Sequence, residues 1–518
     1  MKKIEKWEVF EVELTGKNEG NPFTDYSISA VFTGEKETKK VDGFYDGDGV
    51  YKVRFMPSFV GKYAYKIEGT FSDHKTEGEF EAVAPTDIKN HGPVRVKDEI
   101  YLQYEDGAPY YSMGTTCYGW ANQQEALQEQ TIKTLSETCF NKIRFCIFPK
   151  YYEYNLEEPI TYPYERGETK GQQTPEEKAK LISFFSTDRP GVVMVTDFDC
   201  YKLNPEHFKR FDKRINELKN LGIEADIILL HPYDKWGFAT MTSECDNLYI
   251  KYMVARYGAF RNVWWSLANE YDLMLNKTEA DWDRIGEIIE EKDPYGHLRS
   301  IHNCLEYYDY SKAWITHCSL QRKDMYKHVE FTDEILKQYK KPAVWDEIAY
   351  EGNVELGWGN ISPEEMVRRF WEAFLRGGHA GHGETYLSPD DILWWSKGGV
   401  LHGESYKRFE FLLNILKETP GGYMKKGAGM FDTVVGIPSF EDNDTGNWFP
   451  PHISYEIHYY GFGRPGFRTF NFPEDKKYQI EVIDTYNMTI ENRGVFSGYT
   501  KIDLPAREYM AIRLIQKD

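Results

Sequence analysis

The chain has 518 residues, 41% apolar and 28% charged, which is too long for one ordinary core and ordinary for a soluble globular protein. Its net charge of −20 repels phosphate backbones and anionic lipid, and no apolar run approaches a membrane span, which argues against nucleic-acid and membrane partners. The seven cysteines are scattered without a CxxC spacing, and no apolar run follows Met1-Lys2-Lys3, so reduced thiols in a cytoplasmic setting are expected rather than a disulfide framework.

Residues 1 to about 85 read as short strands broken by turns. Trp7 to Leu14, Tyr51 to Pro57, Tyr63 to Gly69 and Gly78 to Val83 alternate in the manner of a sheet with one wet face. Gly43-Phe44-Tyr45-Asp46-Gly47-Asp48-Gly49 between them is turn-rich. Asp46 and Asp48 lack the rest of a calcium loop and read as a plain turn. An N-terminal β-sandwich is expected over 1–88.

From 89 to 420 short apolar strands alternate with amphipathic segments. Phe208, Phe211, Ile215, Leu218 and Leu221 recur at helical spacing, Gly222 stops that helix, and Ile223 to Leu230 follows as a buried strand ending at His231. Comparable strand ends fall near Thr116, Arg144, Asn269-Glu270, His302-Asn303, His317, Glu347 and His382-Gly383-Glu384. Eight such units predict a (β/α)8 TIM barrel. The doubly wound alternative lacks its Gly-rich phosphate turn. The long connection from Pro149 to Phe208 is expected to shape the mouth, with a short helix near Pro175 to Phe185. Strand-like Tyr478 to Asp484 and Tyr509 to Leu514 predict a second all-β sandwich over 421–518.

Barrel enzymes carry their chemistry at the C-terminal ends of strands. Val263 to Ala268 ends abruptly in Asn269-Glu270, and Lys341 to Trp345 ends in Asp346-Glu347. The fourth and seventh strand ends face one another across a barrel mouth. Two opposed carboxylates, one protonated by burial and repulsion and one ionised, are what cleavage of a glycosidic bond requires. Asp346 rivals Glu347, because neighbours on a strand point to opposite faces. The aromatic content of 16% is either core or rings that stack on sugar faces. His231, Asp234, Trp236, His302, Asn303, Gln321, Tyr350, Trp120, Trp395, His382 and Glu384 are candidates for substrate contact at the same mouth, each with a packing or capping role as its plainer alternative. His379, His382 and Glu384 form an HxxHxE run without the spacing of a zinc helix, so no metal and no cofactor are expected.

Asn269-Glu270 with Glu347 resembles clan A of the retaining glycoside hydrolases. Trp345 to Gly352 and His231 to Phe238 resemble the apiosidase-like barrel family, and Gly20-Asn21-Pro22-Phe23 with Gly43 to Gly49 is similar to the small β domain preceding such barrels. The resemblance implies Glu270 as acid/base, Glu347 as nucleophile, Asn269 on the hydroxyl beside the anomeric carbon, and Arg144 as the guanidinium that orients Glu347 and lowers its pKa. The apiosidases themselves carry an aspartate at the place of Glu270, and the Asn-Glu form is closer to cellulase-like members, so the sugar is left open. The expected function is a retaining, exo-acting hydrolase of an oligosaccharide or plant-type glycan. A non-catalytic carbohydrate-binding protein and a metal-dependent hydrolase are the alternatives. A β domain against the barrel could serve a homo-oligomer contact.

Overall fold

A computed structural model describes residues 1–173, 195–322, 324, 327–387, 392–428, 433–441 and 453–517. The helix expected near Pro175 to Phe185 lies outside them. The described chain is an α/β barrel flanked by mainly antiparallel sheets, the expected class.

At the N-terminus a five-stranded sheet, in the order Lys2–Glu5, Thr76–Val83, Gly61–Glu68, Ser29–Gly34, Thr38–Asp42, packs on a three-stranded sheet of Phe10–Thr15, Val50–Phe55 and Phe44–Tyr45. Alternation turns one face of each sheet inward. Phe10 stacks on Phe80 at 4.0 Å and Phe32 on Phe55 at 4.2 Å, so aromatic rings hold the two layers together. Trp7, at φ 68, interrupts the strand expected from Trp7 to Leu14.

The barrel strands are β1 (Met113–Thr116), β2 (Lys142–Cys146), β3 (Glu224–Leu230), β4 (Val263–Ala268), β5 (Arg299–Ser300), β6 (Cys318–Gln321), β7 (Ala343–Glu347) and β8 (His379–His382). They pair in parallel in the sequence β5, β4, β3, β2, β1, β8, β7, β6, and a bridge between His302 and Ser319 closes the ring. His317 precedes β6 instead of ending it, and its ring packs against Trp264 at 5.3 Å in the lower barrel. The floor is sealed by a hairpin of Val94–Lys97 and Tyr101–Tyr104, whose Val94 and Leu102 join Tyr110, Trp264, Leu298 and Val344 in one apolar cluster.

Helix α1 (Pro205–Leu221) shows how local sequence sets the outer layer. Asn204 caps its start through Glu206 N, Pro205 opens it, and Gly222 in the left-handed region ends it. Phe208, Phe211, Ile215 and Leu218 face the barrel and are buried. Helices α2 (Ser243–Tyr257) and α3 (Pro363–Leu375) serve the two flanking β regions. Trp371 on α3 stacks on Tyr459 at 5.7 Å, which docks a six-stranded C-terminal sheet on the barrel. No helix among the described residues is long and apolar enough to cross a membrane.

The seam between the N-terminal sheets and the barrel is ionic. Arg54 donates to Glu11 at 2.7 Å and to Asp212 on α1 at 2.8 Å, while Arg256 on α2 reaches Asp212 at 2.6 Å and Asp46 at 2.7 Å. Asp46, read from sequence as a turn residue, therefore also closes this seam. Removing one partner from such a buried pair leaves a bare charge, at a cost of about 3–5 kcal/mol. Arg256→Met is expected to destabilise the protein by about that amount in denaturant titration, and an unchanged midpoint would show the seam to be energetically idle.

Candidate active site

Alternation along β2 points Lys142 and Arg144 into the barrel. Lys142 Nζ bridges Asp226 on β3 at 2.8 Å and Asp346 on β7 at 2.5 Å, and Ser319 Oγ donates to Asp346 at 2.5 Å. Burial pushes the Asp346 carboxyl up, but Lys142 and then Arg144 outweigh it and hold it below the usual range. Asp346 is thus an ionised member of the barrel interior.

Arg144 lies one layer higher. Its Nη1 donates to Asn269 Oδ1 at 2.8 Å and to the Tyr118 hydroxyl at 3.2 Å, and stands 3.7 Å from Glu347 Oε1; its Nη2 donates to Ser266 Oγ at 3.3 Å. One planar guanidinium thereby links groups from β1, β4 and β7.

Glu270 follows β4 with φ 53, a left-handed conformation that costs energy for a side chain with a Cβ. The turn leaves its carboxylate at the mouth, where it accepts from the Tyr233 hydroxyl, from Gln321 Nε2 at 3.0 Å and from Asn269 Nδ2 at 3.2 Å. Asn303 fixes Gln321 from both sides, donating to its carbonyl at 2.9 Å and accepting from its amide at 3.2 Å.

Glu347 accepts from the Tyr118 hydroxyl and lies 3.4 Å from His302 Nε2. Strict alternation would send Asp346 and Glu347 to opposite faces, yet both reach interior groups. The register explains it. Ser319 pairs with Val344 and Gln321 with Glu347, so β7 carries one more residue than β6 between those points. This β-bulge turns the two adjacent carboxylates to the same side. Burial pushes the Glu347 carboxyl up to about 8, against the pull of the Tyr350 hydroxyl. The lowering expected from Arg144 does not appear: burial sets the Glu347 value and favours its neutral form. Burial likewise drives His302 well below its ordinary value, so it faces Glu347 as a neutral ring.

The structure brings Arg144, Asn269, Glu270, Glu347, His302, Gln321 and Tyr350 together. Trp395 lies beside them, 5.7 Å from the Tyr350 ring and 5.0 Å from Trp358, in a wall shared with Tyr152 and Tyr154. Other candidates serve as supports. His231 bonds the Phe148 carbonyl at 3.2 Å. Asp234 accepts from the amides of Trp236 and Ala239 at 2.7 Å, a loop cap. Trp236 is fully buried, with Nε1 on Glu158. Trp120 is buried edge-on to Phe145 behind the strands. His382 lies between the Phe140 and Phe409 rings on the outer side of β8, and Glu384 accepts from the amides of His402 and Gly403. His379 instead accepts from Ser112 N, so the HxxHxE run diverges in space. Tyr118, Tyr233 and Lys150 are at the mouth without having stood out as candidates. Their signal was position alone, a few residues beyond β1, β3 and β2.

A family model described as "Apiosidase-like, catalytic domain" matches residues 96–399. Two models of domains of unknown function, DUF5060 and DUF5605, match residues 3–70 and 450–515. A crystal structure from Bacteroides vulgatus ATCC 8482, provisionally described as a glycoside hydrolase, is 34% identical over 100% of both chains with a TM-score of 0.88. A glycoside hydrolase family 5 structure from the same organism is 15% identical, covers 83% of this chain and 95% of its own, and has a TM-score of 0.59, a likeness of fold. Comparison with curated proteins returns no match.

The raised Glu347 pKa has a stability consequence. The folded value of about 8 exceeds the ordinary 4.5, so between those two values the folded state binds the proton more tightly and stability falls as pH rises. Glu347→Gln removes the ionisation. The melting temperature of this variant is expected to exceed the parent's by a margin that widens from pH 4.5 to pH 8, the interval between the two values; a margin independent of pH would refute the assignment.

Proposed function

Taking as premise that the chain belongs to the apiosidase-like family and is a glycoside hydrolase, we propose that it cleaves the O-glycosidic bond of an oligosaccharide or plant-type glycan with retention, by double displacement. The observation that carries this reading is the convergence of Glu270 and Glu347 on one guanidinium: Arg144 bonds the Asn269 that bonds Glu270, and bonds the Tyr118 that bonds Glu347. In this mechanism Glu347 attacks the anomeric carbon while Glu270 protonates the departing oxygen. Glu270 then takes a proton from the water that releases the sugar from Glu347. Asn269 is placed to meet the hydroxyl next to the anomeric carbon. Gln321 and Tyr233 hold Glu270 in line, as Tyr118 holds Glu347. The aromatic wall of Tyr152, Tyr154, Trp358 and Trp395 offers flat faces to a sugar ring. Attack on chain ends suits a mouth walled on one side by Tyr152 and Tyr154, from the start of the connection after β2, and the free state of all seven cysteines fits work in a reducing cytoplasm.

One observation favours a second reading. A carboxyl pushed up to about 8 has the character of an acid, which would exchange the two roles. Azide separates them. With a retaining enzyme, azide rescues the nucleophile variant to the inverted glycosyl azide and the acid/base variant to the retained one.

Replacing either glutamate with glutamine is expected to lower kcat on aryl glycosides by roughly a thousandfold, within the range of one lost proton-transfer or nucleophilic group, with the circular dichroism spectrum unchanged. Full turnover by Glu347→Gln would overturn the proposal. The pair must keep one proton, and the raised member releases its own near pH 8, so kcat/KM is expected to fall as pH rises through about 8.

A further inference from the structure

Lys150 has no part in the reaction as derived above, yet it is 2% exposed and stands at the mouth. Its ammonium lies 3.7 Å from the ring centre of Tyr118, 4.1 Å from that of Tyr233, 4.5 Å from that of Tyr152 and 5.3 Å from that of Trp395. Among the described residues no carboxylate is within ion-pairing distance. A buried ammonium without a counter-ion is costly, and four aromatic faces are what compensates it here. Two of those faces belong to the tyrosines whose hydroxyls donate to the two glutamates, Tyr118 to Glu347 and Tyr233 to Glu270. These tyrosines come from loops after different strands, β1 and β3, and the caged ammonium is the contact they share.

We propose that Lys150 is a positioning residue for the hydrolysis, its caged ammonium holding the Tyr118 and Tyr233 rings so that their hydroxyls stay on Glu347 and Glu270. The inference rests on the glycosidase reading. A cation against a phenol face also draws electron density from the ring and makes its hydroxyl a stronger donor, so one charge serves both carboxylates. The charge is conditional. Burial lowers the Lys150 ammonium to about 8, with Cys146 on β2 and Glu270 beyond β4 holding the proton on and Arg144 on β2 working against it. His231, beyond β3, faces the same ammonium as a neutral ring, its own value lowered first by burial and then by Lys150. As pH rises through about 8 the ammonium becomes an amine, the cage loses its attraction, and both tyrosines are released together.

Lys150→Met, uncharged and similar in reach, and Lys150→Arg, charged throughout, are compared with the parent on aryl glycosides between pH 5 and 10. The methionine variant is expected to lose roughly tenfold to 100-fold in kcat, the scale of a small misplacement of reacting groups, with KM nearly unchanged. The arginine variant is expected to keep most of the activity. Its alkaline limb should be shallower than that of the parent, which loses protons from both the carboxyl pair and Lys150. Tyr118→Phe combined with Lys150→Met should cost less than the two losses multiplied, because both remove the same support. Parent-like kcat in the methionine variant, or identical alkaline slopes in parent and arginine variant, would overturn the inference. If those results come with an inactive Glu347→Gln, the glycosidase reading stands and only Lys150's role falls. A parent inactive on every glycoside would remove both.

Discussion

The contact on which the mouth depends is the Arg144 guanidinium on Asn269 and Tyr118. It is fully buried, and burial of an unpaired charge is prohibitive. The interior therefore answers it with Asp226 at 3.9 Å, Ser266, Asn269, Tyr118 and, at 3.7 Å, Glu347. Each of those groups fixes something else. Asn269 fixes Glu270, Tyr118 fixes Glu347, and Asp226 fixes Lys142, which fixes Asp346. The polar core of this barrel is thus one connected network with few independent parts. Such a network specifies a single geometry when satisfied and fails as a unit when opened.

Geometry of that kind is held against local preference. Glu270 sits in the left-handed region at φ 53, and Ala349, two residues past Glu347, does so at φ 63. Between them in the site lies the bulge of β7. All three departures fall where β4 and β7 deliver their carboxylates, and none is matched by a glycine that would relieve it. The surrounding network over-determines the backbone there. The raised pKa of Glu347 belongs to the same pattern, because burial takes its carboxyl out of water.

Much of the fold was legible in the sequence for a simple reason. In a barrel the strands are apolar runs, and the first polar residue after each run marks its C-terminal end. Asn269-Glu270 and the Asp346-Glu347 pair stood out on that ground; the helix ended by Gly222 showed in its apolar spacing, and Arg144, read as a strand end, lies inside β2. His317 misled because it is polar at the start of β6, where Trp264 and the barrel floor accept it. The bulge in β7 leaves no trace in residue types, so the alternation rule forced a choice between Asp346 and Glu347 that the backbone does not require. Tyr118, Tyr233 and Lys150 escaped notice because a loop tyrosine or lysine reads as rim. Asp234, Trp236 and Glu384 drew notice for the converse reason: they have the chemistry of a binding site and spend it on loop amides and carboxylates.

The ionic seam formed by Arg54, Asp212, Arg256 and Asp46 bears on how such a chain can change over generations. Asp46 and Arg54 belong to the N-terminal sheets, Asp212 and Arg256 to helices of the barrel, and their charges cancel only in combination. A barrel transplanted without its own leading module would carry a buried arginine and aspartate into contact with whatever replaced it. Recombination at that boundary is therefore penalised, and substitutions at the four positions should travel together in descent. The leading module is best regarded as an inherited part of the catalytic body, unlike an accessory that lineages can exchange.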